Sequence, residues 1–169
     1  LARGIELRVI ALDNAGTLQS SEGMSLAITN ELKNTGTLLA KTALTATAET
    51  VNNTGILQAD QGAIITAENL INTGKLIGST TEGFDGTLNL ATLSNSDTGT
   101  IQSSQDLNLN VKTSADNSGQ ILVQRDLRRE ASDVDTTLAL INQADAVMQA
   151  GAELNVKGTN NGDNVTLNT

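Results

Sequence analysis

The chain contains no cysteine, proline, histidine, tryptophan or tyrosine, and Phe84 is its one aromatic residue. Each absence excludes something. Without cysteine there is no disulfide framework and no thiolate zinc site, and the chain can stay unfolded during export. Without cysteine, histidine or tyrosine the common general bases, metal ligands and thiol nucleophile are missing, so any chemistry falls to carboxylates and a few basic residues. Without proline, strands that must donate every backbone N–H run uninterrupted. A compact sandwich leans on aromatic bulk for its core; a narrow core of Leu, Ile, Val, Ala and Thr does not. No apolar run approaches the ~18 residues of a membrane-spanning helix. No glycine-rich stretch carries the Lys-Ser/Thr of a phosphate loop. With a net charge of −9 the chain lacks the basic face that nucleic acid requires. An acidic surface suits an extracellular or cell-surface protein. The 169 residues allow one ordinary domain or one run of repeats. There is neither an initiator Met nor a signal-peptide pattern, so the chain reads as a segment of a longer protein.

What the chain does contain is a ladder. Asn34-Thr35-Gly36-Thr37-Leu38 recurs as Asn53-Thr54-Gly55-Ile56-Leu57 and Asn72-Thr73-Gly74-Lys75-Leu76, with Asn14-Ala15-Gly16-Thr17-Leu18 before them. Asp97-Thr98-Gly99-Thr100-Ile101 and Asn117-Ser118-Gly119-Gln120-Ile121 follow in weakened form. The glycine spacings are 20, 19, 19, 25 and 20 residues. Self-similarity at about 20 residues is the mark of a solenoid, in which each coil buries its apolar face only against its neighbours. An apolar residue stands four places before the glycine (Leu12, Leu32, Val51, Leu70). About eight residues after it an alternating segment begins, as in Met24-Ser25-Leu26-Ala27-Ile28 or Leu107-Asn108-Leu109-Asn110-Val111. Period-2 alternation predicts strands with one buried face. Parallel pairing of like strands in successive coils, about 4.8 Å apart, predicts an all-β, right-handed parallel β-helix over residues 1–169. Seven to eight coils at that rise give a rod roughly 35–40 Å long. In this template Asn14, Asn34, Asn53, Asn72 and Asn117 are structural, bonding amide to amide up the stack. Gly16, Gly36, Gly55, Gly74, Gly99 and Gly119 are expected to supply a positive-φ corner.

Three places break the pattern: residues 78–86, the stretch 92–96 where Asp97 is expected to replace the ladder Asn, and residues 125–137. The first is expected to lengthen its coil by about six residues. As inserted loops, 78–86 and 125–137 are the places where partner binding concentrates. Glu82, Phe84 and Asp85 stand in one, and Arg125, Arg128 and Arg129 in the other. Phe84 reads either as a stacking platform for a sugar or protein, or as a cover packed under its own loop. The arginines read as an anion-binding cluster or as local partners of Asp126, Glu130, Asp133 and Asp135. Asp106, Asp126 and Glu153 fall at equivalent template positions, so they stack. Such a row either attracts a cation or titrates upward, or else is a solvated turn screened by Arg125. Asn52-Asn53-Thr54 and Asn164-Val165-Thr166 match the glycosylation triplet, as expected by chance in so Asn/Thr-rich a chain. No residue set points to a cofactor or a metal.

The coil Leu32-Lys33-Asn34-Thr35-Gly36-Thr37-Leu38, repeated at Leu70-Ile71-Asn72-Thr73-Gly74-Lys75-Leu76, resembles the filamentous-haemagglutinin repeat of two-partner-secretion exoproteins. That group includes large bacterial adhesins and contact-dependent growth-inhibition exoproteins. The resemblance covers nearly the whole chain outside 78–86 and 125–137. It implies a shaft segment at the surface of a Gram-negative bacterium, exported by an outer-membrane transporter. It also implies a cell-surface receptor protein or glycan as partner. The family's secretion domain carries an Asn-Pro motif that a proline-free chain cannot contain. Because some parallel β-helices act on acidic polysaccharides, a lyase or hydrolase is the alternative.

Overall fold

In a computed structural model, residues 2–130, 139–157 and 165–167 are described. The protein is a right-handed parallel β-helix of about six turns, with no helix among the described residues. A right-handed crossover is what twisted parallel strands favour. The strands that follow the ladder glycine form one seven-stranded sheet: Thr17–Ser20, Thr37–Ala40, Ile56–Ala59, Lys75–Ser79, Thr100–Ser103, Gln120–Val123 and Val147–Ala150. The alternating segments and the segments that end in the ladder Asn form the second sheet, of twelve strands. In the middle coils these two segments fuse into single strands such as Leu44–Asn53 and Ala63–Asn72. Alternation slips once within each: Ala48 and Val51 are both buried, and Glu49 and Thr50 between them are not. That slip is a bend, and it divides the strand into two faces. Each coil thus has three faces.

Among the described residues the buried positions are small or aliphatic apart from the ladder Asn residues, Asp106 and Arg129. Leu38, Leu57, Leu76, Ile101 and Ile121 stack in register behind the first face. Leu32, Val51 and Leu70 stack behind the third. Each is at most 1 % exposed. Burying a Leu or Ile side chain in this way contributes roughly 2 kcal/mol relative to leaving it in water. No aromatic is needed, because the space between faces is only as deep as two such side chains.

The variable glycine spacing is absorbed at the corners and at the strand end next to one of them. Six residues separate the fourth coil from a plain one, and they are not one insertion in 78–86. One is a bulge at Gly78, where the register between Lys75–Ser79 and Thr100–Ser103 shifts. Three lengthen a turn: residues 80–85 stand where the coil before has Asp60, Gln61 and Gly62. The last two widen the Asn corner, so that Asn95, not Asp97, pairs with Asn72 and Asn117. The expected break at 125–137 is also shorter than its boundaries. Leu127–Glu130 is a regular strand, with Leu127 paired to Leu107 and Leu154. Residues 131–138 lie outside the described residues.

Candidate functional site

The repeating corner is built by the amides. Asn14 Nδ2 donates to Asn34 Oδ1 at 2.8 Å, and the same bond runs from Asn34 to Asn53, Asn53 to Asn72 and Asn72 to Asn95. At 2.7 Å it continues from Asn95 to Asn117 and from Asn117 to Asn142. Each amide from Asn14 to Asn117 also donates to the carbonyl that follows the next corner, as Asn34 does to Ile56 O at 2.9 Å. Asn95 and Asn142 are members the repeat pattern missed. In both, two extra residues separate Asn from the corner position. The same turn closes each gap: Gly99 N donates to Ser96 O, and Ala146 N to Gln143 O. The visible signal is that Asn95 and Asn142 both lie four residues before Gly99 and Ala146.

The ladder glycines serve close approach, and the expected positive-φ corner is wrong. Among the described glycines only Gly62 and Gly83 have positive φ. A Cβ on Gly36, Gly55 or Gly74 would instead fall on the carbonyl oxygen of the glycine one coil earlier. On Gly119 it would meet the carbonyl oxygens of Ser96 and Gly99.

The 80–85 loop leaves the rod through a neck. Gly78 and Gly86 face each other there, so that a Cβ on Gly78 would come within 3.0 Å of Gly86 Cα. On the entering arm Ser79 Oγ donates to Thr81 O at 2.9 Å, and Thr80 Oγ1 donates to Asp60 Oδ1 at 3.1 Å. The loop folds back over Gly62 (φ 90°), whose Cβ would stand 3.0 Å from Asp85 O. Glu82, Phe84 and Asp85 are exposed, Phe84 by 40 %. Phe84 is therefore neither buried beneath its loop nor free of the rod.

The carboxylate row exists, and it is longer than expected. Asp85, Asp106, Asp126 and Glu153 stand directly before paired strands. Each Asp accepts from the backbone N–H of the next member at 3.3 Å. Its chemistry is opposite to a cation trap. Arg125 grips Asp106 with Nε at 2.6 Å and Nη2 at 2.8 Å. Arg128 bridges Asp106 at 2.6 Å and Asp126 at 2.7 Å. The Arg125 hydrogen bonds hold the Asp106 carboxyl below the usual range, against the opposing effect of burial and with help from the Asp126 N–H and the two guanidinium charges. The same bonds raise Arg125. Asp106 does not titrate upward, and guanidinium groups occupy the place a cation would take. Among the described residues no cluster of three or more His, Cys, Asp or Glu is disposed to hold a metal ion.

The three arginines do not form one cationic patch. Arg125 and Arg128 are engaged on the carboxylate row, and the partners are Asp106 and Asp126 rather than an all-local set. Arg129 points inward and is 1 % exposed. Asp133 and Asp135 lie outside the described residues. A second row went unnoticed in the sequence. On the outer face, Asn110 Nδ2 donates to Asn89 Oδ1 at 2.8 Å, and Asn89 Nδ2 to Thr66 Oγ1 at 3.4 Å.

Comparison of the chain with protein-family models, with curated proteins and with solved structures returns no match.

Proposed function

We propose that the chain is a non-catalytic, extracellular shaft segment of a secreted bacterial adhesin or growth-inhibition exoprotein. It holds a distal activity away from a Gram-negative cell surface, and its exposed 80–85 loop contributes to receptor contact. The observation that supports this reading is the amide ladder, which runs in register through coils of different length, from Asn14 to Asn142. A fold that keeps its axis while its corners vary is suited to being a rod of any length. The lyase or hydrolase reading would need a carboxyl free to exchange a proton, and Asp106 is locked by two arginines.

Deletion of residues 56–74 removes one coil and leaves an intact template at the junction. The shortened protein stays folded by circular dichroism, and its length by small-angle scattering falls by about 4.8 Å. A deletion variant that is unfolded would overturn the additive-coil premise on which the shaft reading rests.

A further inference from the structure

Two adjacent outward columns of the rod are uncharged over five successive strands. The outward column Ala27, Thr47, Thr66, Asn89, Asn110 is continuous in register. The neighbouring outward column runs uncharged from Ser25 to Asn108 in the same strands. Glu6 and Arg8, paired with each other, bound this face at one end, and Arg128 bounds it at the other. In a chain of net charge −9, solubility favours charged side chains on an exposed sheet face. Along this face runs a groove lined by Thr47, Thr66, Asn89 and Asn110 and, along one side, by Glu68 and Lys112. Its Thr66, Asn89 and Asn110 are already ordered by the hydrogen bonds that join them.

The geometry points to this groove as a binding site for an uncharged polysaccharide lying along the rod axis. Other occupants fit poorly. Five strands about 4.8 Å apart, each about five residues of 3.3 Å, make a face of roughly 300–400 Å². A stable protein interface needs about 800 Å² per partner, so a second copy or another folded protein is disfavoured. Strand addition is excluded because the backbone groups of the face are already paired between coils. Anionic glycans and nucleic acid need cations, and within the groove only Lys112 is one. What remains is a repeating array of hydroxyl and amide groups that both donate and accept. A chain of sugar hydroxyls satisfies that array. An extended β-1,4-linked chain advances about one coil spacing per sugar, so successive residues meet equivalent side chains. Exposed Ile64, two positions from Thr66 on the same face, and Ala91 offer apolar surface to sugar C–H groups. Without an aromatic platform each sugar contributes little, so affinity depends on chain length. This inference stands independently of the shaft reading and of the 80–85 loop.

The test is a titration of the protein with cellohexaose, followed by NMR of the Asn89 and Asn110 side-chain amides. Saturable shifts at these amides are expected, with affinity rising from cellotriose to cellohexaose. Asn89→Glu, with an unchanged circular dichroism spectrum, is expected to weaken binding by tenfold or more. Thr66→Val serves as the second variant should Asn89→Glu fail to fold, and is expected to weaken binding measurably. Absence of saturable shifts overturns the proposal. So does equal binding by the variants, or equal binding of a polygalacturonate hexamer.

Discussion

A methyl group added to Gly55 lands on the carbonyl oxygen of Gly36, whereas one added to Gly16 meets nothing within 4 Å. The two glycines occupy the same motif, yet only Gly55 has the corner of an earlier coil described beneath it. Gly55→Ala is therefore expected to destabilise by roughly 2 kcal/mol or more, since backbone has to move. Gly16→Ala is expected to stay within about 0.5 kcal/mol in urea unfolding. Equal effects would refute the crowding explanation and return the requirement to backbone conformation. Asn53 is constrained from both sides. It accepts from Asn34, and it donates to Asn72 and to Lys75 O at 3.0 Å. Asn53→Ala leaves the Asn72 oxygen without its donor in a fully buried site, at a cost of about 2–3 kcal/mol. Asn53→Asp replaces the donor by an acceptor facing two other acceptors. It is expected to be the more damaging of the two at neutral pH, as measured by the urea midpoint.

At the scale of the element, the corners differ while the faces do not. A face is fixed by stacking of like on like, so a one-residue change there would turn every following side chain to the wrong side. A corner has no such constraint, and so the 80–85 loop and the widened Asn95 and Asn142 turns sit there, while the bulge at Gly78 lies at the last step of its strand, where only Ser79 follows it before the corner. The corner that carries Asp85, Asp106, Asp126 and Glu153 is the most polar part of this framework. Because the folded state lowers the Asp106 pKa, its contribution is present above the unfolded value near 3.9 and is lost as pH falls through the lower folded value. Stability is thus expected to decline on acidification below about pH 4, with part of that decline absent in Asp106→Asn. Chemical unfolding at a series of acidic pH values reads this difference directly. An identical slope in both proteins would show that Asp106 is not the group responsible. At neutral pH Asp106→Asn is also expected to be the less stable protein, because Arg125 and Arg128 lose their shared carboxylate.

For the whole molecule, contacts are overwhelmingly between adjacent coils, so stability and exposed surface should scale with coil number. Duplicating residues 56–74, 19 of the 169 residues, is expected to raise the urea m-value by roughly one ninth, and deleting them to lower it by the same fraction. An m-value that ignores coil number would mean that the rod does not unfold as one unit. Length also governs what the outer faces can do. A repeated surface presents the same chemistry every ~4.8 Å, which suits a repeating polymer better than a compact partner.

The sequence alone determined the coil. Period-2 alternation, the Asn-x-Gly spacing and the lack of proline and aromatics each demand stacked parallel strands, because local patterns of this kind are read directly into faces. It also located the aromatic loop and the stacking of Asp106 on Asp126. It did not locate Asn95 or Asn142, because a two-residue widening breaks a motif without breaking the register that pairing enforces. Nor did it show that Arg125 and Arg128 close on Asp106, since side chains 19 and 22 residues apart meet only once one coil lies on another. The glycine requirement was visible in the sequence and its cause was not: crowding by a preceding coil is a property of the stack and of no single repeat.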